Sequence, residues 1–305
     1  MSASAPFPGV PDTETRLGRS RTVEPLASGM TVPNVTLNNG VQIPQLGLGV
    51  LQVPPDESAQ VVHTALEAGY RSIDTARVYG NERGVGEAVR SSGIPREELF
   101  LTTKLWNTDH GYDAALRAFD RSLSDLGVDY LDLYLIHWPV PSADRYVETW
   151  TAFEKLASDG RVRAIGVSNF PEAHLQRILD ETGTVPVLNQ VELHPNFPQA
   201  ALRAFHARHG IATEAWSPLA QGGLLREKSL VALGEKYGKT PAQLILRWHL
   251  QLGNVAIPKS VTPGRIRSNI DVFDFELADD DVATIDGLDK GSGGRIGPDP
   301  DTFNG

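Results

Sequence analysis

Eight short apolar segments alternate with stretches of helical length along most of the chain, and this alternation restricts the fold more than any other feature. Strands that alternate with amphipathic helices form parallel sheets, and eight of them predict an α/β fold closed into a (β/α)8 TIM barrel. A doubly wound open sheet is the alternative on this pattern alone. The eight segments are QLGLG, RSID, LFLTTK, LDLYLIH, VRAIGVS, PVLNQV, IATEAW and NVAIPK.

Two local patterns define further elements of the expected fold. The segment VTLNNGVQI, ahead of the first barrel strand, predicts an N-terminal β-hairpin with Asn39 and Gly40 in a tight turn at positive φ. Near the other end, Thr240, Pro241 and Gln243 predict a helix start with a capping box. The Rossmann fingerprint G-x-G-x-x-G does not occur in the sequence.

The first 29 residues are rich in Pro, Ser, Thr and Gly and show no helical or strand period. We therefore predict that residues 1–29 form a disordered extension and that residues 30–305 form the barrel domain. The sequence contains no Cys, which fits a reducing cytoplasm. Its formal net charge of -10 argues against nucleic acid or a membrane as partner, and no His pair has the spacing of a metal-binding helix.

Polar side chains end seven successive predicted strands. In a TIM barrel these strand ends meet at one face, where active sites lie. A single polar residue there is more often a cap or a solvated loop residue, whereas seven together favour a functional mouth. The residues concerned are Asp74, Lys104, His137, Ser168 with Asn169, Asn189 with Gln190, Trp216 with Ser217, and Lys259 with Ser260.

Tyr79 lies on the loop after Asp74, and Lys104 is expected to reach both of them from the neighbouring strand. Asp74 would compensate the buried ammonium, and the ammonium would lower the pKa of the Tyr79 phenol. The phenol would then act as a general acid, with His137 orienting the oxygen that receives the proton. This arrangement suits a carbonyl oxygen that gains negative charge as hydride arrives at its carbon.

Hydride transfer requires a cofactor, because no side chain supplies hydride. Trp216 offers a flat face for a nicotinamide ring, and Ser168, Asn169 and Gln190 offer donors and acceptors for its carboxamide. The segment IPKSVTPGRIRSNI contains no acidic residue, although the chain is acidic overall. Lys259 and Arg265 at this helix start therefore predict an anion site for a ribose phosphate, which favours NADPH over NADH.

The motifs GYRSIDTARVYGNE, TTKLWN, LIHWP, GVSNF, NQVELHP, EAWSPLAQG and IPKSVTPGRI resemble those of the aldo-keto reductase superfamily, from Thr31 almost to Phe303. The bacterial 2,5-diketo-D-gluconate reductase branch is the most similar. The resemblance implies a catalytic tetrad of Asp74, Tyr79, Lys104 and His137, and NADP(H) as cofactor. The implied cofactor contacts are Ser168, Asn169, Gln190, Trp216, Ser217, Leu219, Gln221, Lys259, Ser260, Val261, Thr262, Arg265 and Asn269.

The sequence departs from the family pattern at two positions. Ser268 stands where many relatives have a glutamate that clamps the adenine, and Leu51 stands where relatives often have an aromatic pocket residue. The expected substrate pocket comprises Leu51, Trp106 and His137, with Trp138 as a further wall. The tail DKGSGGRIGPDPDTFNG matches the C-terminal loop that covers the active site in relatives.

These features predict a monomeric, cytoplasmic, NADPH-dependent reductase of aldehydes, ketones, dicarbonyls or keto-sugars. A non-catalytic NADP(H)-binding protein, acting in redox sensing or as a structural protein, is the alternative on the same scaffold. A barrel hydrolase using Asp74 and His137 is a third interpretation, which leaves Trp216, Lys259 and Ser260 without a role.

Overall fold

The computed structural model describes residues 32–305, in which parallel strands form a barrel surrounded by helices. The predicted disordered extension, residues 1–29, lies outside the described residues. The sheet has eight strands, and its two edges meet: the Gly47 amide donates to the Ala256 carbonyl at 2.9 Å, and the Gly49 amide donates to the Pro258 carbonyl at 3.2 Å. The predicted (β/α)8 barrel is therefore confirmed, and the doubly wound sheet is wrong.

A two-stranded hairpin, β1 (Asn34–Thr36) and β2 (Gln42–Pro44), precedes the barrel. The barrel strands are β3 (Leu48–Gly49), β4 (Ser72–Asp74), β5 (Phe100–Leu105), β6 (Leu131–Ile136), β7 (Val162–Ser168), β8 (Leu188–Glu192), β9 (Ala212–Trp216) and β10 (Val255–Ala256). The α-helices are α1 (Pro55–Glu67), α2 (Glu82–Ser91), α3 (Tyr112–Leu126), α4 (Tyr146–Ser158), α5 (Glu172–Glu181), α6 (Ala200–His209), α7 (Lys228–Tyr237), α8 (Pro241–Gln251), α9 (Pro263–Ile270) and α10 (Asp279–Asp286).

The hairpin is confirmed, but its turn differs from the predicted one. The Leu37 amide donates to the Val41 carbonyl at 2.8 Å, so three residues form the loop. Only Gly40 has a positive φ, at 84°, whereas the Asn39 carboxamide accepts from the Val41 amide at 3.1 Å. Asn39 thus supports the turn through its side chain and does not itself adopt the left-handed conformation.

Two strand ends also differ from the prediction. Strand β8 continues past Gln190 to Glu192, because its pairing with β9 extends to the Glu192–Trp216 pair. Strand β10 ends at Ala256, before Lys259. Pro258 lacks the amide proton that a further regular ladder bond requires. Its carbonyl still accepts from the Gly49 amide, and Lys259 forms an isolated bridge to Gly49, so the chain stays beside β3 as far as Lys259. The capping box of Thr240 and Gln243 at the start of α8 is confirmed.

The barrel interior is apolar at its amino-terminal end and polar at its carboxyl end. Buried side chains from the strands and the hairpin form one cluster that includes Leu37, Ile43, Phe100, Leu133 and Leu188. A larger apolar layer lies mainly between the barrel and its helices. The hairpin residues thus close the amino-terminal end of the barrel with apolar side chains.

Within residues 32–305, no helix combines the length and the hydropathy needed to cross a bilayer.

Helices α2 and α3 approach closely at Gly86, which predicts an effect on stability. A Cβ added there would lie 1.9 Å from the Leu126 carbonyl oxygen, so Gly86→Ala must push the helices apart. We expect a loss of about 1–3 kcal/mol in the free energy of unfolding, measured by urea denaturation. Gly264→Ala is the control, since that helical position has open space around it and alanine favours helix by about 1 kcal/mol. Equal stability of the two variants would contradict the close approach.

Candidate active site

A buried ion pair lies at the centre of the barrel mouth. Asp74 ends β4, Lys104 lies near the end of β5, and the Lys104 ammonium donates to Asp74 Oδ1 at 2.5 Å. The same ammonium donates a second hydrogen bond to the Thr75 carbonyl at 3.0 Å. Lys104 is fully buried and Asp74 is 2% exposed. A lone buried ammonium would be strongly unfavourable, so the aspartate keeps the lysine charged.

Tyr79 and His137 lie beside this pair. The Lys104 ammonium is 5.3 Å from the centre of the Tyr79 ring, and the Tyr79 and His137 rings meet edge to face at 5.8 Å. Tyr79 ends a 3-10 turn that Gly80 terminates with a φ of 69°. His137 directly follows β6. The structure thus brings together all four side chains of the predicted tetrad.

Asn81 fixes the turn that carries Tyr79. Its carboxamide accepts from the Thr75 hydroxyl at 2.7 Å and donates to the Val50 and Val53 carbonyls at 2.9 and 3.2 Å. It therefore joins the segment after Asp74 to the loop after β3, which contains Leu51. Since Asn81 is fully buried, these bonds are shielded from water.

The protonation of the tetrad differs in one respect from the prediction. Burial raises the pKa of Tyr79, and the lowering effect of Lys104 only offsets part of this rise. The expected net lowering is therefore wrong, because the sequence does not show how deeply the phenol is buried. Burial and the Lys104 charge both hold the pKa of His137 well below its usual value. At neutral pH the site thus contains a protonated phenol, a neutral imidazole and a charged lysine.

Gln190 connects the ion pair to a second carboxyl group. Its Nε2 donates to Asp74 Oδ2 at 2.8 Å and to Glu214 Oε2 at 2.7 Å. Both amide hydrogens are therefore engaged inside the barrel, and the carbonyl oxygen is left to contact a ligand. Asn189, the neighbouring residue, does not join the site, since its carboxamide donates to the Phe170 carbonyl at 2.8 Å.

The predicted nicotinamide platform is held by side-chain hydrogen bonds. Trp216 Nε1 donates to the Asn169 carboxamide at 2.8 Å, and Asn169 donates to the His137 carbonyl at 3.0 Å and to the Ser168 hydroxyl at 3.1 Å. Asn169 has a φ of 63°, which turns the chain sharply after β7. The Ser168 hydroxyl in turn donates to the backbone carbonyl of Gln190 at 2.8 Å. The indole orientation is therefore set by the same residues that border the predicted tetrad.

The C-terminal segment is bound to the barrel rim beside Trp216. The Glu192 carboxylate accepts from the Ile296 and Gly297 amides at 2.6 and 2.7 Å. His194 lies 3.0 Å from the same carboxylate. A Cβ at Gly297 would lie 2.4 Å from the indole, so glycine permits this close contact. The buried Glu192 thus anchors the segment against the platform.

Aromatic residues line the other side of the mouth. The Trp106 ring meets His137 edge to face at 5.2 Å, and Phe303 packs on Trp138 at 4.4 Å. The predicted C-terminal cover is therefore present. Leu51 is 45% exposed at the rim. Arg295 lies over the Phe197 ring at 4.8 Å, away from these pocket residues.

The remaining predicted cofactor contacts follow β9 and β10. Lys259, Arg265 and Arg267 form no ion pair within residues 32–305, although the chain has a net charge of -10. Helix α9 begins without a side-chain cap and without an acidic residue in its first turn. Exposed or half-buried residues of the two loops are Ser217, Leu219, Gln221, Val261 and Thr262, whereas Ser260 and Asn269 are buried.

These free cations and the open helix start form a basic surface that suits a phosphate group. The Asn269 carboxamide has no hydrogen-bond partner in the described part of the chain, so it is free to bind a heterocycle. Ser268, at the position of the expected adenine clamp, is half-buried.

Sequence reasoning missed Asn81, Glu192 and Glu214. Glu192 lies two residues after Gln190, and Glu214 lies two residues before Trp216. Side chains alternate along a strand, so Glu192 and Glu214 share the inward face with those neighbours. Alternation counted forward from Gln190 and back from Trp216 would have found both glutamates, whereas the strand-end criterion alone did not.

A barrel with a buried Asp–Lys pair, an adjacent Tyr and His, and a tryptophan platform at its mouth defines a carbonyl-reducing type of site. Residues 44–290 match the model of the Aldo/keto reductase family. The chain therefore belongs to the aldo/keto reductase family of oxidoreductases, and the family and branch predicted from the motifs are confirmed.

Relatives cover nearly the whole described chain. An aldo-keto reductase of Mycolicibacterium smegmatis is 58% identical over 272 residues, which span 89% of this chain and 98% of the relative. Methylglyoxal reductase DkgA of Escherichia coli strain K12 is 53% identical over 273 residues, 89% of this chain and 98% of the relative.

Solved structures are equally similar. Gox0644 in its apoform has a TM-score of 0.87 and 51% identity, covering 90% of this chain and 99% of that one. A single-site mutant of Gox0644 in complex with NADPH has a TM-score of 0.87 and 50% identity, with the same coverage. An aldo/keto reductase from Brucella melitensis has a TM-score of 0.83 and 59% identity, covering 85% of this chain and 100% of that one.

The ion pair predicts a large effect on stability. Lys104→Met leaves Asp74 buried without its cation, and we expect the free energy of unfolding to fall by about 3–5 kcal/mol. The double variant Lys104→Met/Asp74→Leu should recover part of this loss, because no unpaired charge remains. Urea denaturation of the single and double variants measures both. A double variant less stable than Lys104→Met would contradict this interpretation.

Proposed function

We propose that the chain reduces carbonyl compounds to alcohols with NADPH, using Tyr79 as the general acid. The observation that carries this proposal is the cluster at the mouth. Lys104 lies 2.5 Å from Asp74 and 5.3 Å from the Tyr79 ring centre, and His137 contacts the same ring. A phenol, an ammonium and an imidazole around one point suit an oxygen that develops negative charge.

The proton chemistry follows from the burial of these groups. Burial raises the pKa of Tyr79, so the phenol is protonated when a carbonyl compound enters. Lys104 opposes this rise and stabilises the phenolate that remains once the proton has left. His137 is neutral, because its pKa is held low, and its ring N–H donates a hydrogen bond that orients the carbonyl oxygen. Asp74 keeps Lys104 charged throughout.

NADP(H) is the cofactor, and its reduced nicotinamide supplies the hydride. The residues present fit this group. Trp216 provides the flat face. The side-chain oxygen of Gln190 is free for the carboxamide, whereas both of its side-chain amide hydrogens are already engaged. The unpaired Lys259 and Arg265 would hold the 2′-phosphate and the adenine side, with Asn269 as a further adenine contact. NADPH in complex with a Gox0644 mutant supports this assignment.

The substrate class is aldehydes, ketones, dicarbonyls and keto-sugars. Trp106, the exposed Leu51 and the buried Trp138 beneath Phe303 provide apolar surface at the mouth, which suits small carbonyl compounds of varied shape. The name of the similar DkgA, methylglyoxal reductase, supports a small dicarbonyl as the first substrate to test.

We further propose that the enzyme acts as a monomer in the cytoplasm. The absence of Cys fits a reducing compartment, and the acidic surface fits a protein without nucleic-acid partners. Light scattering of the purified chain tests the oligomeric state, with a mass near 33.1 kDa expected.

Tyr79→Phe removes the acidic proton and leaves the ring in place. We expect kcat/KM for methylglyoxal to fall by about 10²–10⁴-fold or more, while the Kd for NADPH changes by less than about twofold. NADPH absorbance measures turnover, and protein fluorescence quenching measures binding.

Tyr130→Phe is the matched control for this substitution, since Tyr130 lies outside the mouth against Arg96. The control should retain native activity. If Tyr79→Phe turned over methylglyoxal at the native rate, another group would have to supply the proton, and the proposed mechanism would be wrong.

Arg265→Ala tests the cofactor assignment independently of turnover. Loss of one charge-assisted contact should raise the Kd for NADPH by about 10–100-fold. Arg267→Ala removes the same charge two residues further along α9 and serves as control. An equal effect of both substitutions would indicate only a general electrostatic contribution.

A further inference from the structure

Glu214 is a buried acid next to the catalytic cluster that the proposed mechanism does not yet use. It lies on β9, 1% exposed, two residues before Trp216. Its Oε2 accepts from Gln190 Nε2 at 2.7 Å, and the same Nε2 donates to Asp74 Oδ2 at 2.8 Å. One amide group therefore bridges two carboxyl groups, and Glu214 connects through it to the partner of Lys104.

The charges inside the barrel do not balance if both Glu214 and Asp74 are ionised. The charged or titratable groups that face Glu214 are Asp74 on β4 and Lys104 on β5, and Tyr79 and His137 lie beside Lys104. Gln190 on β8 and Val255 on β10, its partners on the flanking strands, carry no charge. Only Lys104 is cationic, so one positive charge faces two acids.

We propose that Glu214 is a positioning residue that holds a proton while the reductase works and, on losing it, weakens Tyr79 as an acid. The added negative charge would hold the Tyr79 proton more tightly and attract the Lys104 ammonium. The carbonyl oxygen would then face a weaker acid, and reduction would slow. This inference rests on the proposed role of Tyr79 as general acid.

The environment of Glu214 sets the pH at which this happens. Burial, and next the Asp74 charge, raise the pKa of Glu214 to about 8, although Gln190 and Lys104 oppose the rise. Since the folded chain then holds a proton that the unfolded chain releases near pH 4.5, native stability falls as pH rises between these values and levels off above about 8.

The first test follows kcat/KM for methylglyoxal with NADPH across neutral and alkaline pH, each profile normalised to its own plateau. The native enzyme should lose activity in a step near pH 8, the pKa of Glu214. Glu214→Gln keeps the shape and the acceptor oxygen but cannot ionise, so this step should disappear. Glu235→Gln removes a charge from an exposed position on α7 and should retain the step.

The second test needs no turnover. The unfolding midpoints of native protein and Glu214→Gln are compared from pH 4.5 to above about 8. The midpoint of the variant should rise relative to that of the native chain across this range, and the difference should then stay constant. Should Glu214→Gln fold poorly, Glu214→Leu has a similar volume and also lacks the ionising group, so the same trend is expected.

The outcomes separate this inference from the proposed function. Activity that depends on Tyr79, together with identical pH profiles for native enzyme and Glu214→Gln, would overturn the role of Glu214 and leave the reductase mechanism standing. If the unfolding midpoints of the native protein and Glu214→Gln differed by the same amount at every pH, Glu214 would not hold a proton in the folded chain. If Tyr79→Phe stayed active, the proposed mechanism itself would fail, and with it the link from Glu214 to catalysis.

Discussion

The contact between Lys104 and Asp74 is the interaction on which the rest of this molecule depends. An ammonium enclosed in a barrel whose lower end is filled by apolar side chains is stable only beside an anion. The pair in turn sets the charge felt by Tyr79 and His137 and engages Gln190. Its position follows from the fold, since β4 and β5 are adjacent parallel strands whose carboxyl ends share one rim.

Around this pair the mouth is organised as a continuous hydrogen-bonded structure. Gln190 links Asp74 to Glu214, while Asn169 links His137 to the indole of Trp216. Polar groups in such a network hold one another in place where water is excluded. His137 and Trp216, the proposed cofactor platform, are therefore held by one set of contacts, and a change in either affects the other.

The sequence revealed the parts of this site that depend on local pattern. Strand alternation and polar strand ends were enough to predict the barrel and to place Asp74 and Lys104 together. The net pKa direction of Tyr79 was not predictable, because burial is a property of the packed barrel. Glu192 binds amides about a hundred residues away, at Ile296 and Gly297. A local sequence pattern does not predict a contact over such a distance along the chain.

The central claim is that Tyr79 protonates a carbonyl compound held beside the nicotinamide. A crystal structure with NADP⁺ and an unreactive carbonyl analogue tests this claim most directly. The nicotinamide should lie against Trp216, and the analogue oxygen within about 3 Å of the Tyr79 hydroxyl, with His137 as its second partner. The 2′-phosphate should lie at Lys259 and Ser260. An analogue oxygen bound away from Tyr79, or a nicotinamide bound elsewhere, would contradict it.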